Sequence, residues 1–107
     1  MQQDGQLVFV IETTDVAAAL GLLAHTGAPS ATMHVRLRPG FAEIDYLCPL
    51  EIAPNEARTI GSRLAATPAC LSVTIQALRR QYGPAFARED IAAWPCRPPQ
   101  HEWQAAA

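Results

Sequence analysis

The chain has 107 residues, 50% of them hydrophobic and 17% charged, with a net charge of -2. That suits one domain with a modest core and excludes a disordered segment. Arg79-Arg80 is the only basic cluster and lysine is absent. The concentrated positive surface that a nucleic-acid backbone demands is therefore missing, and no apolar run approaches the ~20 residues of a membrane span.

Leu7 to Ile11 is an unbroken apolar run rich in Val and Ile, the pattern of a central strand. Thr13, Thr14 and Asp15 follow as N-cap candidates. Val16, Ala19, Leu20 and Leu23 then recur at helical spacing, and Gly27 with Pro29 stops the helix. Next comes a hairpin whose register can be worked out from residue types. Met33, Val35 and Leu37 alternate with His34 and Arg36; beyond Arg38-Pro39-Gly40-Phe41, Ala42, Ile44 and Tyr46 alternate with Glu43 and Asp45. Folding about Pro39-Gly40 sets Leu37 against Ala42, Val35 against Ile44 and Met33 against Tyr46. On the other face Arg36 meets Glu43 and His34 meets Asp45. A slip of one residue would mix charge into the apolar face. Pro-Gly favours a type II turn, so a loop of four residues, Arg38 to Phe41, is expected to carry the reversal.

Pro54 suits a first helical position, and Ala57, Ile60, Leu64 and Ala65 form the apolar stripe of a second helix that ends at Thr67-Pro68. Cys70 to Leu78 alternates as a strand. The order strand, helix, strand, strand, helix, strand predicts an α+β, ferredoxin-like βαββαβ sandwich: a four-stranded antiparallel sheet, first and third strands inside, two helices on one face. Residues 1–78 would form this domain. Residues 79–107 would be a C-terminal extension with a short helix over Ala85 to Ala93 and a Pro-rich tail, anchored by Tyr82, Phe86, Trp94 and Trp103. Glu12 puts Val8 and Val10 on the open sheet face, and the extension, through Tyr82, Phe86, Ile91 and Trp94, is expected to pack on that face or across a dimer partner.

Candidate chemistry is sparse. His34 beside Asp45 reads as a cross-strand pair and His25 as a cap favourable to the helix dipole. Cys48, Cys70 and Cys96 have no metal-ligand spacing and read as buried, reduced thiols. Glycines Gly21 and Gly61 suggest close helix-to-sheet approach, and no glycine run cradles a phosphate, so no cofactor or metal is expected. The start, Met1-Gln2-Gln3-Asp4, lacks a signal-peptide layout, which with the reduced thiols predicts a cytoplasmic location.

Residues Leu7 to Leu78 resemble an ACT domain, an amino-acid-sensing regulatory module. The likeness rests on Leu7-Val8-Phe9-Val10-Ile11, the helix Val16 to Ala24, the strand Thr32 to Leu37, and Pro68-Ala69-Cys70-Leu71-Ser72-Val73. The segment LAHTGAPSATMHV is most similar to the small regulatory subunit of acetolactate synthase. The chain departs from the family where Thr13-Thr14-Asp15 stands in place of a turn glycine. The resemblance implies a non-enzymatic homodimer that binds a small amino acid through Thr13, Thr14, Asp15, Val16, Ala31 and Thr32. It also implies a thiamine-diphosphate enzyme as partner. The competing expectation is a ligand-free homodimeric protein-interaction module whose charged sheet face docks a partner or a second copy; separately, the second and fourth strands are unguarded sheet edges and predict a homodimer.

Overall fold

A computed structural model of the chain describes residues 4–24, 33–49, 51–80 and 86–95. The elements are β1 (Leu7–Thr13), α1 (Val16–Leu23), β2 (Met33–Arg38), β3 (Phe41–Leu47), α2 (Pro54–Ala65), β4 (Cys70–Arg80) and β5 (Phe86–Pro95). The architecture is α+β, with the strands in one antiparallel sheet of order β2-β3-β1-β4-β5. The first and third strands lie inside it, as expected. The sheet has five strands in place of the expected four, and the edge beyond β1 is β5, not β4.

That difference arises in the extension. Ala87, Arg88 and Glu89 are good helix formers, the basis for expecting a helix over Ala85 to Ala93. Yet β4 presents a row of backbone N–H and C=O groups, and pairing with it satisfies far more of the segment's own groups than a short helix would. Tertiary context overrides propensity. The pairing carries a bulge: Ile75 faces Ala92 and Gln76 faces Asp90, which leaves Ile91 as the extra residue. Ile91, Ala92 and Trp94 all pack against the core. Ile91 and Trp94 therefore sit on the helix side of the sheet and do not cover its open face as expected.

The core is built from the period of two in the strands. Leu7, Phe9 and Ile11 of β1, Ile44 and Tyr46 of β3, and Val73, Ile75 and Ala77 of β4 share one face, and α1 adds Ala19 and Leu23 while α2 adds Ala57, Ile60 and Leu64. Helix α1 starts at Asp15, whose carboxylate accepts from the Ala18 N–H. Helix α2 takes Pro54 at its start, Glu56 in its first turn and Arg63 in its last, a charge order that suits the helix dipole. At Gly61 the close approach is to β5: a Cβ there would stand 2.6 Å from Cζ3 and 2.8 Å from Cη2 of the Trp94 ring. Gly21 has no such neighbour, since a Cβ added there would meet nothing within 4 Å.

Every expected hairpin pair is present, Met33–Tyr46, His34–Asp45, Val35–Ile44, Arg36–Glu43 and Leu37–Ala42. The turn is tighter than expected. Arg38 pairs with Phe41, so the loop is Pro39-Gly40 alone, with Gly40 at φ +84°, the value a type II turn needs at that position. Burial follows the pattern on β3 and fails on β2. Ile44 is fully buried, whereas Val35 is 36% exposed and Leu37 83%. Helix α2 lies over β4 and β5, at the other side of the sheet, and among the described residues it makes no comparable contact with β2.

The expected helix stop at Gly27 and Pro29, His25, Ala31, Thr32, Tyr82, Cys96 and Trp103 lie outside the described residues.

Candidate functional site

The β1–α1 turn is the leading candidate from the sequence, and its polar groups are engaged in holding the turn together. Thr13 is buried. Its hydroxyl donates to the Ala69 carbonyl at 3.2 Å and accepts from the Asp15 N–H at 3.0 Å. The Thr14 hydroxyl reaches the same Ala69 oxygen at 3.2 Å, and the Thr14 N–H donates to it at 2.9 Å. Asp15 accepts from the Ala18 N–H at 3.1 Å, placing a carboxylate where a ligand's carboxylate would sit. Val16 is half-buried against the core. The turn thus ties the exit of β1 to the entry of β4, and like charge at Asp15 opposes an anionic ligand.

The open face of the sheet holds a second polar cluster. Arg88 of β5 makes a bidentate pair with Asp45 of β3, both contacts at 2.8 Å. Because β4 and β1 lie between those strands, the arginine side chain crosses both, and its Nη1 also meets Gln76 Oε1 at 3.4 Å. In the ladders Arg88 stands opposite Leu78 of β4, and Asp45 opposite Val10 of β1. The crossing is therefore diagonal, over the stretch that contains Val8 and Val10. Val8 is 2% exposed and Val10 half-buried. Among the described residues of the extension, Arg88 and Asp90 both meet side chains of the open face, and the arginine's aliphatic stem can lie along apolar surface while its head stays wet. The hydrogen bonds to Asp45 push the Arg88 pKa above its ordinary value, partial burial opposing them. Asp45 is thereby claimed by Arg88, not by His34, its cross-strand neighbour.

Around this pair is an open depression of about 340 Å³ lined by Val10, Arg36, Glu43, Asp45, Gln76 and Arg88. Its charges face one another. Glu43 lies 3.6 Å from Arg36 and 3.4 Å from Arg38, Gln76 donates to Asp90 at 2.7 Å, and Ser72 donates to Glu12 at 2.8 Å. Such a face is internally neutralised.

Cys48 and Cys70 are buried thiols, neither in a disulfide. Burial pushes the Cys48 pKa up to about 12, against a smaller opposing effect of the Phe9 backbone. A thiol held protonated is a poor nucleophile and a poor metal ligand. Among the described residues no three of His, Cys, Asp and Glu gather as a metal site, and no helix is long and apolar enough to cross a membrane.

The remaining unusual feature is the outer edge of β2. Cys48 N–H donates to Leu7 O at 2.9 Å, so Ile44 and Tyr46, of the same parity, turn their backbone groups toward β1. Glu43 and Asp45 then turn theirs toward Arg36 and His34. It follows that the N–H and C=O groups of Met33, Val35 and Leu37 point outward, and among the described residues no strand meets them. Exposed apolar side chains and free ladder groups coincide on one strand.

Comparison with protein-family models, with curated proteins and with solved structures finds no match to this chain.

Proposed function

We propose that the chain is a protein-interaction module: a ferredoxin-like core, extended by β5, that acts by docking another polypeptide on its sheet edge. The observation that carries this reading is the outer edge of β2, where Leu37 is 83% exposed beside outward-turned backbone groups. An edge in that state is a template for a further strand, which supplies affinity through main-chain hydrogen bonds. The opposite edge differs. β5 carries Arg88, Glu89 and Asp90 in succession and a bulge, both devices that discourage pairing.

The test is native mass spectrometry of the full chain and of Val35→Pro. Proline at an edge position whose N–H faces outward leaves the β3 ladder intact and blocks a further strand. The wild-type chain is expected in complex and Val35→Pro alone. A wild-type chain that forms no complex, either with itself at any concentration or with a polypeptide co-purified from its source, overturns the reading.

The amino-acid-sensing form of such a module, implied by the likeness to ACT domains and to the acetolactate synthase regulatory subunit, has less support. Its ligand would have to displace the Thr13, Thr14 and Asp15 contacts at the turn. Calorimetric titration with valine, leucine and isoleucine decides it. Binding heat would make the module a sensor, with a thiamine-diphosphate enzyme as the partner to seek.

A further inference from the structure

A strand that docks on the outer edge of β2 must suit the side chains β2 presents, and these alternate strictly. Met33, Val35 and Leu37 share the face of Ile44 and Tyr46, while His34, Arg36 and Arg38 stand on the open face. Every polar residue of the strand is basic and none is acidic. Inside the sheet, β3 answers that pattern: Ala42, Ile44 and Tyr46 meet the apolar row, and Glu43 and Asp45 meet the basic one. The answer is incomplete. Asp45 is taken by Arg88, with both contacts at 2.8 Å. Glu43 gives a single oxygen, Oε1, to Arg36 at 3.6 Å and to Arg38 at 3.4 Å, whereas well-made charge-assisted contacts close to about 2.7–2.9 Å. The two guanidinium side chains stay 56% and 48% exposed, their fork of donors largely unused.

The backbone sets these bases where a neighbouring strand would meet them. The N–H and C=O groups of Met33, Val35 and Leu37 point outward, as the β1–β3 hydrogen bond at Cys48 establishes, so an added antiparallel strand bonds at those residues. His34, Arg36 and Arg38 then fall in the non-hydrogen-bonded pairs, where facing side chains stand closest. Opposite charge strengthens such a pair and like charge opposes it. A second copy of the chain suits this edge poorly. Wherever two open-face residues of β2 met across a β2–β2 pairing, both would be basic. The strand with the right pattern, β3, is enclosed between β1 and β2, and β5 runs Arg88, Glu89, Asp90 into a bulge.

We propose that the partner at this edge is a different polypeptide whose docking strand alternates apolar and acidic residues. Its carboxylates lie opposite His34, Arg36 and Arg38, and its apolar side chains lie beside Val35 and Leu37. The basic strand β2 is then flanked by an acidic strand on either side. This inference rests on the docking reading above and adds the chemistry of the partner.

The test uses the full chain and three end-blocked, dye-labelled synthetic peptides followed by fluorescence anisotropy. The first has the sequence of Phe41–Leu47; the second carries Glu43→Lys and Asp45→Lys in that sequence; the third has the composition of the first, reordered so that the alternation is lost. Because the charge is changed in the peptide, the comparison needs no altered chain to fold. The first peptide is expected to bind, less tightly as sodium chloride is added, and to lose binding to Val35→Pro, whose fold is checked by circular dichroism. The second and third are expected to bind at least about tenfold more weakly. A second or third peptide that binds as tightly as the first, binding that survives Val35→Pro, or binding by none of the three overturns the acidic partner. The docking reading is judged apart from these results, by the native complex of the wild-type chain and its loss in Val35→Pro.

Discussion

Gly61→Ala puts the packing of β5 on α2 to a direct test. In an exposed helix interior this change is stabilising by about 1 kcal/mol, since glycine is a poor helix former. Here the new methyl would stand 2.6 Å and 2.8 Å from two carbons of the Trp94 ring. Carbon atoms prefer a separation of about 3.5–4.0 Å, so ring or helix must move by roughly an ångström. Overpacking of that kind costs about 1–3 kcal/mol. The net expectation is a loss of up to about 2 kcal/mol, which in a domain of this size lowers Tm by about 4–8 °C for each kcal/mol. The sign should invert when the ring is removed. In a Trp94→Ala background, Gly61→Ala has only its helix-propensity effect and should stabilise by up to about 1 kcal/mol. Urea unfolding followed by circular dichroism, on the wild type, both single variants and the double variant, gives the coupling. A coupling within the ~0.3–0.5 kcal/mol typical of independent sites would refute the contact and with it the placement of β5.

Three further outcomes are expected. Arg88→Ala should lower stability by at most about 1 kcal/mol, the range for a solvent-exposed ion pair, and the loss should shrink at high salt, as urea unfolding at two sodium chloride concentrations would show. Cys48 has a folded pKa of about 12 against an ordinary value of 9.0. Its neutral form is favoured by folding, so that contribution is intact below pH 9 and is lost as pH rises from there through 12; a Cys48→Ala variant should show a flatter decline of unfolding free energy in that window. Deleting residues 81–107 should expose the β4 edge and uncover the core beside Gly61. The truncated chain should melt at a lower temperature or aggregate in differential scanning fluorimetry with light scattering.

The hairpin was legible because two independent patterns, apolar on one face and opposite charge on the other, agree on a single register. The helices were legible from their caps and spacing. β5 was not, since Ala87, Arg88 and Glu89 favour a helix and only the β4 ladder, a long-range partner, reverses that choice. Arg88 was missed as a site residue for a related reason. Its contact with Asp45 depends on two other strands lying between, and no spacing along the chain encodes that. The exposure of Leu37 was equally hidden, because alternation tells which face a residue takes and says nothing about whether a helix reaches that far. At Thr13-Thr14-Asp15 the same residues serve capping or ligand capture, and the Ala69 contacts show that capping and strand linkage are in place.

The diagonal run of Arg88 across the sheet bears on how the molecule comes apart. A sheet held only by ladder bonds can fray from its rim one strand at a time, and β5, the last to be added, would be first to leave. Here β5 cannot separate without also releasing Asp45, three strands away. Opening of the rim is thereby opposed by at most the ~1 kcal/mol of an exposed ion pair that also reaches the hairpin, so amide exchange on β5 should quicken by up to about fivefold when the arginine is shortened.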